Sequence, residues 1–185
     1  MKNIGFISFL GMMLTLVSCS SVKLAVYDTQ KRQDLAIESK TALKNSPIVK
    51  ERTAKAALSH TASKYIGTPY RYGSCDAKKG FDCSGLVYTV AQSQDLELPR
   101  SSSQMATTGK HISWKNAEPG DLIFFGDRNR INHVGIVEKN KGDEMWVIHS
   151  TTSDGVVLQN VLDSDYWKAR ILFAIDIISP SQTRS

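Results

Sequence analysis

The sequence predicts an α+β domain in which N-terminal helices pack on an antiparallel β-sheet. Two observations predict this class: two segments with helical periodicity come first in the chain, and five strand-like runs separated by turn signals follow them. Because helices and strands are segregated along the chain instead of alternating, neighbouring strands are expected to pair in antiparallel fashion.

The first helix is predicted to begin at Ser46 and Pro47, which suit the N-cap and the first helical position, and to end at Gly67. A second helix is predicted directly after Cys83, with a break at residues 98–100. Both helices carry apolar residues at intervals of three and four, which are Ala54, Leu58, Ala62, Tyr65 and Ile66 in the first and Leu86, Val87, Val90 and Ala91 in the second.

The strand-like runs are residues 122–125, 133–139, 146–149, 156–159 and 170–178. His133 opens the second run and His149 closes the third, and the segment between these two runs is short enough for a hairpin. The two imidazoles would share a face of the sheet if paired residue numbers add up to an even value, such as 282 or 284. An odd value would send them to opposite faces.

The composition is typical of a globular protein. The chain has 185 residues, of which 41% are apolar and 22% are charged, and this argues against a disordered chain and a polytopic membrane protein. The net charge of +5 comes from Lys2 and from residues 20–55, where eight basic and four acidic side chains stand. That excess suits an anionic membrane surface or a solvated linker, and since no stripe of aromatic and basic residues accompanies it, no nucleic-acid partner is predicted.

The amino terminus is typical of a secretory signal. Lys2 precedes a mostly apolar run, residues 4–17, whose helical length of about 21 Å is too short for a hydrocarbon core of about 30 Å. Residues 16–19 (LVSC) resemble the bacterial lipobox, which implies removal of residues 1–18 and lipidation of Cys19. We therefore expect a signal peptide at 1–18, a lipid-anchored and partly helical tether at 19–46, a catalytic domain at 47–178 and a tail at 179–185.

Three residues suggest covalent catalysis. Cys83 stands where a helix begins, and free backbone N–H groups together with the helix dipole favour a nucleophilic thiolate there. His133 would act as the base and His149 would orient it, whereas His60 and His111 are predicted to be surface residues. A zinc site that also uses Cys75 is disfavoured by the seven residues between the two cysteines. A Cys75–Cys83 disulfide would consume the nucleophile.

Six motifs in order resemble the NlpC-type cysteine peptidases, which are bacterial cell-wall hydrolases with a papain-like fold. The resemblance covers residues 47–178. The motifs are residues 67–73 (GTPYRYG), 80–86 (GFDCSGL), 98–102 (LPRSS), 119–125 (PGDLIFF), 133–137 (HVGIV) and 147–150 (VIHS).

This resemblance implies a role for particular side chains. Cys83 is the implied nucleophile, His133 the base and His149 the orienting residue. The Tyr70 hydroxyl is implied to assist at the oxyanion or the cysteine, with Tyr72 as the alternative because the chain carries a one-residue insertion after Gly73. The implied substrate-contacting positions are Asp82, Ser84 and Ser102, and helix capping is the plainer interpretation of the first two.

The expected protein is a monomeric lipoprotein endopeptidase that needs no cofactor and no metal. It would cut D-glutamyl–diaminopimelate or D-alanyl–diaminopimelate bonds in peptidoglycan stem peptides, from the outer membrane facing the periplasm. Two alternatives remain at this point: a non-catalytic peptidoglycan-binding lipoprotein, and an amidase or acyltransferase of the same superfold.

Overall fold

A computed structural model describes residues 19–128 and 130–179. The expected signal peptide, residues 1–18, lies outside the described residues, as do residues 180–185 of the expected tail. The chain divides into two compact units between Asn45 and Ser46. Within the described ranges, no helix combines the length and the hydropathy that a membrane span requires.

The first unit contains one long helix, α1 (Cys19–Lys44). The sequence predicts helix only around residues 33–43, so the helical part was underestimated. Residues 19–44 contain no glycine or proline, and the Asp28–Arg32 ion pair at 3.0 Å supports the helix along one face. Residues 27–44 are all exposed and show little apolar periodicity, so periodicity alone did not indicate the full length of this helix.

The second unit opens with two helices and a short ribbon. They are α2 (Pro47–Ser63), β1 (Cys75–Asp76), β2 (Gly80–Phe81) and α3 (Cys83–Gln92). The Ser46 side chain accepts a hydrogen bond from the Val49 N–H at 3.3 Å, so the predicted N-cap is confirmed. The predicted end at Gly67 is wrong, because α2 stops at Ser63 and turns continue to Gly67, whose backbone N–H donates to Val156.

The remaining elements complete the sheet. They are α4 (Ser102–Met105), β3 (Lys110–Ile112), a 3₁₀ turn (Trp114–Asn116), β4 (Leu122–Asp127), β5 (Arg130–Asn140), β6 (Met145–Thr151), β7 (Gly155–Asn160), α5 (Asp165–Lys168) and β8 (Ile171–Asp176). Six strands form one antiparallel sheet in the order β3-β8-β4-β5-β6-β7. The five predicted runs correspond to β4 to β8, and the short strands β1 to β3 lack the length to show alternation.

Apolar side chains cover both faces of the sheet. On one face, residues of α2 and α3 such as Leu58 and Val90 pack with sheet residues such as Phe124 and Ile148. On the other face, a smaller cluster around Phe125 is closed by flanking tryptophans. The prediction of an α+β domain with helices on an antiparallel sheet is thus confirmed.

A buried lysine ties α2 to the sheet. Lys55 is only 5% exposed, and its Nζ lies 2.9 Å from Asp121 Oδ1 and 2.7 Å from Asp176 Oδ2. Burial acts to lower the pKa of Lys55, but the two carboxylates outweigh it and raise the pKa above its ordinary value. Burial likewise acts to raise the pKa of Asp176, yet Lys55 and hydrogen bonds from Ser179 and Ile178 lower it to about 2.

Replacing Lys55 by methionine is expected to destabilise the fold by about 3–5 kcal/mol, because two buried carboxylates lose their cation. Urea unfolding of the full chain measures this loss, and Lys50→Met on the exposed side of α2 is the matched control. Equal unfolding midpoints for the Lys55 and Lys50 variants would contradict this role of Lys55.

The stability that ionised Asp176 contributes should be complete above its ordinary pKa of 3.8 and disappear as the pH falls toward 2.

Candidate active site

Cys83 is the first residue of α3, and its sulfur is surrounded by backbone donors. The N–H groups of Val134, Ser84 and Cys83 itself hydrogen-bond the sulfur and act to lower the pKa of the thiol. Burial has the larger effect, however, and with it the pKa of Cys83 rises above its ordinary value. The donors at the helix start thus favour a thiolate, as expected, but burial outweighs them, and the half-buried thiol requires a base.

His133 on β5 and His149 on β6 form an imidazole pair. The distance from His133 Nε2 to His149 Nδ1 is 3.0 Å, and the ring planes are inclined by 74°. Near the pair, Val137 is opposite Val147 and Ile136 is opposite Ile148, so paired residue numbers add up to 284. This confirms the even register that a functional pair demands.

A β-bulge creates that register. Close to the hairpin turn, Lys139 is opposite Trp146 and paired numbers add up to 285, an odd value. The register shifts between Val137 and Lys139, which leaves Glu138 as the extra residue. The Glu138 carboxylate accepts a hydrogen bond from Ser59 on α2, so a helix contact holds the bulged residue. Without the bulge, the two histidines would lie on opposite faces.

A glycine lets the two strands approach closely at the pair. The register places Gly135 opposite His149, and a Cβ at position 135 would lie 2.5 Å from Val147 Cγ1 and 3.0 Å from His149 Cβ. Any side chain at this position would push β6 and its histidine away. The Gly in the His133 motif is thus explained by the fit of the imidazole pair.

The histidines are held neutral by burial. Burial, with a smaller contribution from neighbouring His149, lowers the pKa of His133 to about 3. Burial lowers the pKa of His149 to about 4, although its hydrogen bond with Gln159 acts in the opposite direction. At neutral pH each imidazole therefore carries one ring hydrogen, and His133 can accept a proton.

Two residues that sequence reasoning missed complete the surroundings of the pair. Gln159 on β7 places its Oε1 3.2 Å from His149 Nε2. Trp167 on α5 lies over both imidazoles, with ring centroids 4.7 Å from His133 and 4.8 Å from His149. The alternation of residues along β7 could have indicated that Gln159 lies on the same face of the sheet as His149 of β6. No sequence signal points to Trp167.

Tyr70 lies in the same cleft as Cys83 and His133. Burial, followed by the charge of a neighbouring Cys83 thiolate, raises the pKa of the Tyr70 hydroxyl, so the hydroxyl remains a hydrogen-bond donor at neutral pH. Tyr72 is 88% exposed and does not line this cleft. Of the two tyrosines left open by the sequence, the geometry places Tyr70 beside the cysteine.

Two of the positions predicted to contact substrate, Asp82 and Ser84, take part in a hydrogen-bond network and are not among the residues that line the described cleft. Asp82 caps α3 through a 2.6 Å hydrogen bond from the Gly85 N–H, and both of its carboxylate oxygens accept from Arg100 at 3.0 and 2.9 Å. Ser84 accepts from the same guanidinium at 2.9 Å. Ser102 is the first residue of α4 and does not line the cleft either. Arg100, unassigned at the sequence level, organises this network.

The cleft has a volume of about 490 Å³. Its described lining is mostly polar and comprises Tyr70, Cys83, Asn132, His133, Ser150, Thr151, Thr152, Ser153, Asp154, Gln159, Tyr166 and Trp167. Since both histidines are neutral at pH 7, Asp154 supplies the one charged side chain among these residues. A bound substrate therefore meets a negative charge in the cleft.

The other cysteine and histidines lie apart from this centre. Cys75 is an exposed free thiol on β1 and Cys83 is also free, so the alternative of a disulfide between them is not realised. In the part of the chain that the structure describes, no group of three or more potential ligands has the geometry to hold a metal ion. His60 and His111 are exposed, as predicted, and the ring of His111 stacks on Phe173.

The fold and this site define a papain-like cysteine peptidase: a helix-start cysteine packed against an antiparallel sheet that carries an imidazole pair. The model of the NlpC/P60 family matches residues 67–176, and the chain belongs to that family. The predicted family and enzyme class are thereby confirmed.

Two relatives and one solved structure are similar to this chain and agree with its assignment to this family. The chain is 40% identical over 119 residues to the probable endopeptidase NlpC of Escherichia coli K12, covering 63% of this chain and 73% of that one. It is 34% identical over 135 residues to the murein DD-endopeptidase and LD-carboxypeptidase MepS of the same strain, covering 72% and 69%. The crystal structure of the NlpC/p60 domain of peptidoglycan hydrolase SagA matches at a TM-score of 0.55 and 33% identity, covering 66% of this chain and 97% of that domain.

Proposed function

We propose that this protein is a cell-wall endopeptidase that hydrolyses amide bonds in peptidoglycan stem peptides, with Cys83 as nucleophile. One observation carries the proposal: His133, hydrogen-bonded to His149 at 3.0 Å, lines the same cleft as the half-buried Cys83 thiol. Nucleophile, base and orienting group are the components that covalent amide hydrolysis requires.

The catalytic cycle uses the neutral state of the site. His133 uses Nε2 for its contact with His149, so Nδ1 is the atom that takes the thiol proton. The sulfur attacks the scissile carbonyl, and the Cys83 N–H and the Tyr70 hydroxyl donate to the developing oxyanion. The imidazolium then protonates the leaving amine, and water activated by His133 releases the acyl group from Cys83.

Asp154 favours one of the two candidate bonds. In a D-glutamyl–diaminopimelate bond of an uncrosslinked stem, the leaving residue retains a second amine that is free and positively charged. In a D-alanyl–diaminopimelate crosslink, both amines of that residue are amides. The carboxylate of Asp154 therefore favours cleavage of D-glutamyl–diaminopimelate.

The bond itself is identified by digesting two defined muropeptides with the full chain, an uncrosslinked tetrapeptide stem and a crosslinked dimer, followed by mass spectrometry. Preferential release of diaminopimelyl fragments from the uncrosslinked stem is expected. Release of peptides that begin with L-alanine would instead indicate an amidase. Binding to both muropeptides without any product would indicate a wall-binding protein.

Replacing Asp154 by asparagine is expected to raise KM for the uncrosslinked stem about threefold to fivefold, since an exposed ion pair contributes about 1 kcal/mol or less. Steady-state kinetics at low ionic strength measure the change. Asp143→Asn, at an exposed position in the β5–β6 turn, is the control. If a stem with an acetylated second amine shows the same increase in KM, the carboxylate does not recognise the ammonium.

We also propose that residues 1–18 are removed, that Cys19 is lipidated and that the enzyme works outside the cytoplasm on the wall. Helix α1 would then be a spacer of about 39 Å at 1.5 Å per residue over its 26 residues. Incorporation of labelled palmitate is expected for the wild type and not for Cys19→Ala, which should leave the membrane fraction. Labelling of Cys75→Ala provides the control, and labelling of Cys19→Ala would contradict the anchor.

A further inference from the structure

Gln159 is a polar residue of the site to which the proposed mechanism assigns no role. In the β6–β7 pairing, His149 is opposite Val157 and Gln159 is opposite Val147, so Gln159 is the diagonal neighbour of His149 on the same face. Its Oε1 lies 3.2 Å from His149 Nε2. With the contact between the histidines, three side chains form one chain of hydrogen bonds across β7, β6 and β5.

The carbonyl oxygen at the end of this chain determines where each ring hydrogen lies. A carboxamide oxygen only accepts hydrogen bonds, so His149 Nε2 must carry the hydrogen that it donates to Gln159. Since His149 is neutral, its Nδ1 is then an acceptor, and it accepts from His133 Nε2. His133 Nδ1 is thereby left without a hydrogen.

Turning the Gln159 amide around would reverse the direction of both hydrogen bonds in this series. If Gln159 turned its NH₂ group toward His149, that group would donate to Nε2, and the single hydrogen of His149 would move to Nδ1. His149 would then donate to His133 Nε2, and the hydrogen of His133 would reside on Nδ1. A nitrogen that already carries a hydrogen cannot accept the proton of the Cys83 thiol, so the site would hold a base in the wrong tautomer.

We propose that Gln159 is a positioning residue whose side-chain oxygen fixes the tautomers of His149 and, through it, of His133, so that His133 Nδ1 is the basic atom. The inference rests on the proposed function for its catalytic consequence. The tautomers themselves are a property of the resting protein. Gln159 contacts neither the nucleophile nor the scissile bond and acts only through the histidine pair.

Nitrogen-15 NMR of the histidine rings in the full chain tests the proposal without any substrate. The expected wild-type spectrum at pH 7 shows both His133 and His149 protonated at Nε2 and unprotonated at Nδ1. In Gln159→Met both rings should lose this single preference, whereas Gln159→Glu, which keeps an acceptor oxygen, should retain it and raise the pKa of His149. Leu158→Met, the neighbouring exposed residue of β7, should change nothing.

Kinetics supply the second measurement. Gln159→Met is expected to lower kcat about tenfold to a hundredfold with KM unchanged, because only the population of the competent tautomer falls. Gln159→Glu should recover most of that loss. Hydrogen on His133 Nδ1 in the wild type, or unaltered tautomers in Gln159→Met, would overturn the proposal. If the wild type cleaves no stem peptide while showing the expected tautomers, the proposed function fails and this inference stands.

Discussion

Replacing Cys83 by alanine is expected to lower kcat/KM for stem-peptide cleavage by about 10⁴-fold or more, because Cys83 supplies the thiol that lines the cleft together with His133. Cys83→Ser should be nearly as inactive, since the site presents a neutral imidazole tuned to a thiol and a hydroxyl is a weaker nucleophile. Steady-state cleavage of a defined stem peptide by the full chain measures both losses.

The chain offers a matched control for this experiment. Cys75 is an exposed free thiol on β1, outside the cleft, and Cys75→Ser should retain wild-type activity. Thermal unfolding of both variants checks that each is folded. If Cys83→Ala cleaves the peptide at the wild-type rate, or if only Cys75→Ser loses cleavage, Cys83 is not the nucleophile.

The second large effect is expected at His133. Without its imidazole the Cys83 thiol, whose pKa is raised by burial, has no base, and kcat/KM should fall by about 10³-fold in His133→Ala. His60→Ala removes an exposed imidazole on α2 and should leave the rate unchanged. A small effect of His133→Ala would mean that the thiol loses its proton without this base.

The pH profile reports the same group in the wild type. The neutral imidazole is the active form, and burial lowers the pKa of His133 to about 3, so activity should persist well below pH 6.5 and decline as the pH approaches 3. The buried histidines also weaken the fold over this range, because the unfolded chain binds protons near its ordinary pKa of 6.5. Circular dichroism alongside the kinetics separates the two effects. An acid limb near pH 6.5 would contradict the burial of the pair.

Much of the site could be predicted from the sequence because its signals are local. Cys83 follows an Asp that caps a helix, and His133 and His149 are located at the ends of apolar runs. The shared face of the two histidines could only be stated as a condition. The bulge at Glu138 that satisfies it depends on a contact with Ser59, 79 residues earlier in the chain.

The residues that the sequence missed act through distant partners. Lys55 looks like any other lysine of an amphipathic helix until Asp121 and Asp176 are brought to it by the fold. Arg100 pairs with Asp82 across 18 residues, and this pairing explains why Asp82 is a structural residue of the helix start. Periodicity records which face is buried, but it does not record which charged groups meet there.

The central claim is that Cys83 opens amide bonds of peptidoglycan stem peptides. Its most direct test is digestion of purified sacculi by the full chain and by Cys83→Ala in parallel, with mass spectrometry of the released fragments. The wild type should release fragments with new amino groups on diaminopimelate, and Cys83→Ala should release none. The same fragments from both proteins, or no new peptide ends from the wild type, would contradict the claim.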